Sequence, residues 1–124
     1  MNLKMKGTVD DAGRALLRVQ LKNTLDAKVI DMDVWIDTGF TGELVVPQTT
    51  IDSLGLARGA EIKATLGDGS VAHLNTYTCL LEWFGEWKPI EIIANQGRIP
   101  LLGVGLLLDR MLQIDYRTKM LSIQ

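Results

Sequence analysis

The residues with the clearest chemical potential are Asp37, Thr38 and Gly39, a carboxylate followed by a hydroxyl and a glycine. An apolar run at 34–36 precedes them, so a rigid strand would carry the Asp37 carboxylate into a loop where Gly39 allows another backbone to approach closely. A carboxylate held in this way could act as an acid or a base in catalysis. Aspartate also begins turns by bonding its own backbone two residues on, and this stretch alone supports both interpretations equally.

Asp31 and Asp33 share the predicted strand face of Asp37, an arrangement that suggests a metal site made of carboxylates. Residues two apart on one face of a strand are separated by about 7 Å, however, which is wide for one hard cation. His73 is the only histidine and falls in another predicted strand. Solvated carboxylates are therefore the favoured interpretation, and neither a metal nor a cofactor is expected.

Other reactive or aromatic side chains have ordinary structural explanations. The lone Cys79 lies in an apolar alternating segment, which is typical of a buried and inert thiol. His73 has no visible serine or cysteine nucleophile beside it, so an exposed or hydrogen-bonded strand histidine is favoured over a general base. Trp35, Trp83 and Trp87 are expected to pack in the core or at a dimer contact, with stacking on a peptide as the alternative for the last two.

Short strands must position Asp37. Alternation with period two predicts a strand at 15–21 and another at 30–37, and the second delivers Asp37 at its carboxyl end before a loop at 38–42. The apolar faces of these strands carry Ala15, Leu17, Val19 and Leu21 on the first, and Ile30, Met32, Val34 and Ile36 on the second. A strand at 43–46 closed by Pro47 follows, and then a hydroxyl-capped helix at 49–54 that Gly55 ends. A hairpin is predicted with arms at 62–66 and 71–74, the second of which runs on toward Trp83, and an edge strand at 87–94 contains Pro89. The last predicted elements are a buried strand at 99–103, a helix at 104–110 docked by Leu106, Leu107 and Leu108, and a hairpin at 112–116 and 119–124. Together they indicate an all-β domain, mainly β with one or two short helices, that is closed or nearly closed.

Length and composition limit the functions. A chain of 124 residues with 47% apolar residues has the usual size of one domain, so residues 1–124 are assigned to a single domain. Thirteen Lys and Arg residues are scattered among fifteen Asp and Glu residues, and no basic block is available to follow a nucleic acid. No apolar run has the form of a signal peptide or the length to cross a bilayer. A cytoplasmic protein with no nucleic acid or membrane partner is expected.

The segment 35–42, Trp-Ile-Asp-Thr-Gly-Phe-Thr-Gly, resembles the active-site segment of retropepsin-like aspartic proteases, especially bacterial single-domain members. A glycine-bearing hairpin at 67–69 begins thirty residues after Asp37 (67 minus 37), where the family carries a flap over bound peptide. Leu101-Leu102-Gly103 resembles the family's paired-hydrophobic-glycine motif, which packs beneath the active-site loop. The resemblance spans 14–124 and implies a closed, acid-protease-like β-barrel, one lobe of the pepsin and retropepsin fold.

The resemblance also implies a role for each residue of the site. Asp37 would be the catalytic carboxylate, Thr38 would brace two such loops against each other, and Gly39 would offer backbone groups to a substrate. The substrate-binding residues implied are Phe40, beside the motif, and the flap residues Gly67, Asp68 and Gly69.

The family mechanism needs two carboxyl groups around one water, and this chain carries the motif once. A second copy would have to supply the other Asp37, so a homodimer that cleaves a peptide or protein substrate is expected. The terminal strand would complete a dimer sheet by burying Met120, Leu121 and Ile123, and an ordinary hairpin within the chain is the alternative.

Two positions depart from the viral pattern. Viral members usually place an acidic residue two positions after the motif glycine and an arginine directly after the later glycine, where this chain has Thr41 and Val104. Because both halves of that pair are missing together, a different support for the dimer or for the site is expected, and Arg110 is a candidate for it. The rival hypothesis is a non-catalytic dimeric peptide-binding or structural module on the same fold.

Overall fold

The computed structural model describes residues 3–65, 68–95, 97 and 99–124, and most of them lie in strands. The strands of these ranges are β1 (Met5–Val9), β2 (Ala15–Lys22), β3 (Ile30–Ile36), β4 (Leu44–Pro47), β5 (Arg58–Thr65), β6 (Val71–Trp83), β7 (Glu86–Asn95), β8 (Leu101–Leu102), β9 (Leu112–Asp115) and β10 (Met120–Ile123). The helices described are α1 (Gln48–Leu54) and a 3-10 helix (Val104–Leu106). Within the described part of the chain, no helix is long and apolar enough to cross a bilayer.

Six strands close into a barrel. Their hydrogen-bonded order is β2, β3, β8, β4, β7 and β6, and β6 returns to β2 where Leu21 lies opposite Leu81 and Lys22 lies opposite Leu80. Closure is possible because β6 has 13 residues: its first half pairs with β5, and Leu80 and Leu81 further on pair with β2 while they also pair with β7. The predicted mainly β fold with a closed barrel is confirmed.

Alternating side chains explain why these strands bury one face. On β2, Leu17, Val19 and Leu21 are each 1% exposed or less, whereas the residues between them are half-buried or exposed. On β3 the buried residues are Val34 and Ile36. Successive side chains of a strand point to opposite faces, so the apolar set lines the barrel interior and the predicted inward faces of both strands are confirmed.

The short strand β8 lies between β3 and β4, and it determines where the loop after β3 meets the loop after β8. It runs parallel to β3, with Trp35 opposite Leu101 and Ile36 opposite Leu102, and antiparallel to β4. Because β3 and β8 are parallel, both end at the same edge of the barrel. The loops that follow them therefore come together.

The termini form a three-stranded sheet within one chain. β10 pairs with β1 on one side and with β9 on the other. Leu121 and Ile123 are buried in this chain's own core, whereas Met120 is 50% exposed. The expectation that Leu121 and Ile123 bury at a dimer sheet is wrong, because both side chains lie in the core of this chain, packed in one cluster with the barrel strands.

The strand predicted at the edge of the sheet is an interior one. β7 pairs with β6 along its length and with β4 from Ile92 onward. Pro89 comes before the pairing with β4 begins. Glu91, two residues later, faces the same edge of β7 as Pro89, and its N–H donates to Glu43 Oε1 at 3.0 Å. The proline therefore lacks a donor only on a side where β4 has not yet begun.

Both predicted helices differ from expectation. α1 begins directly after Pro47, which offers no side-chain acceptor, so the predicted hydroxyl cap is wrong; Gly55 ends the helix with a φ of 64°, as predicted. The later helix is one 3-10 turn, because Asp109 adopts a left-handed φ of 63° soon after it. Leu106 is buried, but Leu108 is 66% exposed and does not dock.

The three tryptophans have different surroundings. Trp83 is buried in the core and meets Phe84 edge-on, with the ring centroids 5.2 Å apart. Trp87 lies under the Lys22 amine, which is 3.8 Å from the ring centroid. Trp35 remains 38% exposed. Core packing is therefore confirmed for Trp83, while Trp35 lies on the outer face of β3.

Candidate active site

Asp37 stands where β3 ends at the barrel edge. Its N–H donates to the Leu102 carbonyl at 2.8 Å, and the Trp35 N–H donates to the Pro100 carbonyl at 2.9 Å. These two bonds extend the pairing of β3 with β8 up to the aspartate itself. Asp37 therefore has the rigid backbone placement that a catalytic carboxylate needs.

The Asp37 side chain begins the loop that follows it. Its Oδ1 accepts the N–H of Gly39 at 2.9 Å, and its carbonyl accepts the N–H of Phe40 at 3.2 Å. Aspartate bonds of this kind are typical of turns. In the described ranges no residue donates to Oδ2, and the side chain is only half-buried. The turn-forming and the catalytic interpretations are thus compatible, since one oxygen holds the loop while the other is available.

Glycines form the floor beneath this loop. A Cβ added at Gly103 would lie 2.3 Å from the Gly42 carbonyl oxygen and 2.7 Å from that of Phe40. A Cβ added at Gly42 would lie 2.4 Å from the Phe40 ring. At Gly103 these contacts are with backbone oxygens, so only glycine fits there, whereas a Cβ at Gly42 would require the Phe40 ring to move. Phe40, predicted to bind substrate, packs its ring over these two glycines.

Backbone bonds join the loop to the floor. The N–H groups of Gly103, Val104 and Gly105 donate to the carbonyl oxygens of Glu43, Phe40 and Gly42, at 2.9, 2.8 and 2.9 Å respectively. Main-chain atoms need no particular side chain for these contacts. They supply a support for the loop that differs from the acid and arginine missing at Thr41 and Val104.

Arg110 does not provide that support. Its guanidinium lies 3.6 Å from the centroid of the Phe84 ring, in the turn between β6 and β7. The expectation that Arg110 replaces the missing arginine is therefore wrong. The predicted two helical turns are replaced by one 3-10 turn, and Asp109 then adopts a left-handed conformation. The chain direction at Arg110 therefore differs from the one that the predicted helix would give.

Sequence reasoning missed Glu43, Gly105 and Pro100. A Cβ at Gly105 would lie 2.9 Å from the Gly42 carbonyl oxygen and 3.1 Å from Glu43 Cγ. The two glycines at 103 and 105 were an available signal, because closely spaced glycines mark a close backbone approach. Glu43 carried no comparable signal, since the residue whose N–H it binds, Glu91, is 48 positions away.

The predicted flap is a hairpin of β5 and β6. At its described tip, Gly69 has a φ of +85°, and Asp68 Oδ1 accepts the N–H and the hydroxyl of Ser70 at 2.9 and 2.6 Å. These two bonds hold the pKa of Asp68 below its usual range, and the bond from the Ser70 hydroxyl has the larger effect. No hydrogen bond among the described residues joins this tip to the Asp37 loop. Gly67 lies outside the described residues.

Thr38 and Gly39 are exposed in the single chain, next to the half-buried Asp37. The structure thus brings Asp37, Thr38, Gly39 and Phe40 together on one loop. Asp33, on the strand before them, pairs with Arg18 through a 3.2 Å contact on the solvent side. In the described ranges no three metal-binding side chains gather.

The remaining reactive groups lie apart from this loop. Cys79 is buried, as predicted, and burial together with the nearby negative charge of Glu43 raises the pKa of its thiol to about 12. His73 is exposed on β6, and its Nδ1 lies 3.0 Å from Glu61 on β5. The predicted inert thiol and hydrogen-bonded strand histidine agree with these positions.

The fold is similar to that of a known protease. The crystal structure of a retropepsin-like aspartic protease from Rickettsia conorii matches with a TM-score of 0.69 and 17% identity, over 98% of this chain and 90% of that chain. No family model and no curated protein matches the sequence. A likeness at this identity shows the fold alone, and the predicted acid-protease-like barrel is confirmed at that level.

Proposed function

We propose that the protein is an aspartic endopeptidase that acts as a homodimer, with Asp37 of each copy as the catalytic carboxylate. The observation that carries this proposal is the fixed position of Asp37, whose N–H is held by Leu102 at 2.8 Å above a floor where only glycine fits at Gly103. Residues 1–124 are proposed to form one such protease domain.

The proposed dimer follows from stoichiometry. Hydrolysis by this route needs one ionised and one protonated carboxyl group, and each chain offers one Asp-Thr-Gly. Two carboxylates brought together across a twofold axis repel each other, so the proposed pair holds one proton between them. The exposure of Thr38 and Gly39 in the single chain supports a partner at this loop.

In the proposed reaction the ionised Asp37 accepts a proton from a water molecule, whose oxygen attacks the scissile carbonyl carbon. The protonated Asp37 of the other copy donates a hydrogen bond to the carbonyl oxygen, which gains charge as the tetrahedral intermediate forms. The proton taken from the water then passes from the first Asp37 to the amide nitrogen, the C–N bond breaks, and a carboxylic acid and an amine leave. The first Asp37 is then ionised again and the second is still protonated.

The other predicted residues have supporting roles in this proposal. Thr38 braces the two loops across the axis, and Gly39 presents backbone groups to an extended peptide that binds like an added strand. Asp68, Gly69 and the predicted Gly67 belong to the flap that excludes water over the cleft. Phe40 keeps its predicted substrate contact as a proposal, together with its packing on Gly103.

The test replaces Asp37 with asparagine. Asp37→Asn should lower cleavage of a peptide library at mildly acid pH by at least about 100-fold, the scale of general acid-base catalysis, and an aspartic-protease transition-state mimic should inhibit the wild type. Asp31→Asn, an exposed aspartate on the same strand, is the matched control and should retain full turnover.

Two outcomes would contradict the proposal. Equal turnover by wild type and Asp37→Asn would remove the catalytic role, and peptide binding without any cleavage would favour the non-catalytic module. Sizing chromatography over a range of concentrations tests the dimer. A chain that stays monomeric at every concentration, even with the transition-state mimic, would exclude hydrolysis by two Asp37 groups.

A further inference from the structure

The Glu43 side chain links the strand β7 to the loop that carries Asp37. Its Oε1 accepts the N–H of Glu91 at 3.0 Å. A carboxylate that accepts a backbone N–H makes a charge-assisted bond, which is stronger than a neutral one. This acceptor satisfies a β7 donor at a point where the pairing with β4, which begins at Leu44 opposite Ile92, has not yet started.

The Glu43 backbone continues this link toward Asp37. Its carbonyl accepts the N–H of Gly103 at 2.9 Å, and the Leu102 carbonyl, one residue before, accepts the N–H of Asp37 at 2.8 Å. Glu43 is therefore bonded through its side chain to β7 and through its main chain to the floor of the site. A displacement of Glu43 would be transmitted to the segment that fixes the aspartate.

The surroundings of Glu43 are shaped to keep it in place. Gly105 leaves the room its stem needs, because a Cβ there would lie 3.1 Å from Glu43 Cγ and 2.9 Å from the Gly42 carbonyl oxygen. The side chain is half-buried, and it lies near the buried Cys79, whose pKa is raised mainly by burial and further by the negative charge of Glu43. The Glu43 stem is thus packed against Gly105, while its carboxylate reaches the Glu91 N–H at a solvent-exposed position.

We propose that Glu43 is a positioning residue for Asp37, acting through its bond to the Glu91 N–H and through the Gly103 segment. This inference rests on the proposed protease function for its effect on turnover. Its structural part, the linkage of β7 to the site floor, stands separately and can be measured in a protein without activity.

The test compares three variants at one position. Glu43→Gln keeps an oxygen that accepts the Glu91 N–H and should retain most of the turnover. Glu43→Met keeps the length of the side chain but has no comparable acceptor, and it should lower kcat by about 10- to 100-fold with little change in KM, since misplacement by about 1 Å of a catalytic group costs up to about 100-fold. Glu43→Asp keeps the charge but is too short to reach, so it should behave like Glu43→Met. Glu86→Met, an exposed glutamate on the same strand β7, is the matched control and should leave kcat unchanged.

Amide hydrogen exchange separates this inference from the proposed function. In Glu43→Met or Glu43→Asp, the amides of Glu91, Gly103 and Asp37 should exchange faster than in wild type, while Glu43→Gln and Glu86→Met should leave them protected. Faster exchange at Glu91 alone, or unchanged exchange at all three, would overturn the linkage. Faster exchange at all three with wild-type kcat would overturn the positioning role. A wild type without Asp37-dependent turnover would refute the protease proposal, and the exchange pattern would still decide whether Glu43 fixes Asp37.

Discussion

At the scale of single residues, the candidate site depends on which atoms are absent as much as on which are present. Asp37 is held by a backbone bond to Leu102, and the loop after it settles onto Gly103 because that residue has no side chain. The backbone of Gly103 is extended, with a φ of −101°, so its requirement for glycine comes from space and not from torsion.

Replacing Gly103 with alanine tests this requirement. The added Cβ would meet the Gly42 and Phe40 carbonyl oxygens at 2.3 and 2.7 Å, both of which are backbone atoms that must shift. We expect Gly103→Ala to lower the free energy of unfolding by about 1–3 kcal/mol or more, measured by urea denaturation. Gly97→Ala is the control, since the three nearest atoms to its Cβ among the described residues all belong to the Asn95 side chain, at 3.3–3.6 Å. An equal loss in the two variants would contradict the proposed packing.

At the scale of elements, turns and strand ends decide how the pieces join. The turn from β1 to β2 is organised by Asp10, whose Oδ1 accepts the N–H groups of Ala12 and Arg14 and whose Oδ2 lies 2.7 Å from the Arg14 guanidinium. A similar aspartate, Asp115, accepts the N–H groups of Arg117 and Thr118 between β9 and β10. The first turn sets the pairing of β1 with β2, and the second sets the pairing of β10 with β9.

Acid should weaken these turns. The Arg14 N–H, aided by the Arg14 guanidinium, holds the pKa of Asp10 below its usual range, and the Thr118 and Arg117 N–H groups do the same for the pKa of Asp115. A carboxyl group whose pKa is lower when folded stabilises the fold above its unfolded pKa, and that contribution is lost as pH falls through the folded pKa. Asp10→Asn should therefore lower the Tm at neutral pH and make little difference in strong acid. Asp26→Asn, in the exposed loop after β2, should change the Tm at neither pH; a pH-independent effect of Asp10→Asn would contradict this account.

At the scale of the whole molecule, the terminal sheet belongs to the chain's own core. β10 lies between β1 and β9, and it inserts Leu121 and Ile123 into the same cluster as the barrel strands. A dimer sheet built from a free terminal strand is thus not available to β10. The proposed dimer must use other surfaces, among them the exposed loop at 38–39 that carries the site.

The core role of the terminal strand has a direct test. Leu121 is 1% exposed, so Leu121→Ala should lower the free energy of unfolding by about 2–5 kcal/mol, the cost of removing a buried leucine. Met120 is 50% exposed, and Met120→Ala should cost much less. The comparison is made by chemical denaturation at several protein concentrations. A loss for Leu121→Ala that appears only where the protein is dimeric would place this side chain at a dimer contact.

The sequence by itself determined the inward faces of β2 and β3, the position of Asp37 at a strand end and the mainly β character, because period-two alternation and turn residues are local signals. It did not reveal that β1 pairs with β10, that the strand containing Pro89 lies between two other strands, or that the later helix is a single 3-10 turn. Each of these depends on which strand lies beside which, and a linear pattern carries no record of such neighbours.

Only the tertiary structure decided how the Asp37 loop is supported. The sequence shows that Thr41 and Val104 cannot form the acid–arginine pair of viral members, and it suggests Arg110 as the replacement. The fold instead brings main-chain donors of 103–105 against carbonyl oxygens of the loop, and a glutamate against a strand 48 positions away. Backbone groups look alike in every sequence, so a site held mainly by backbone hydrogen bonds and by the absence of side chains is recognised only when the chain is folded.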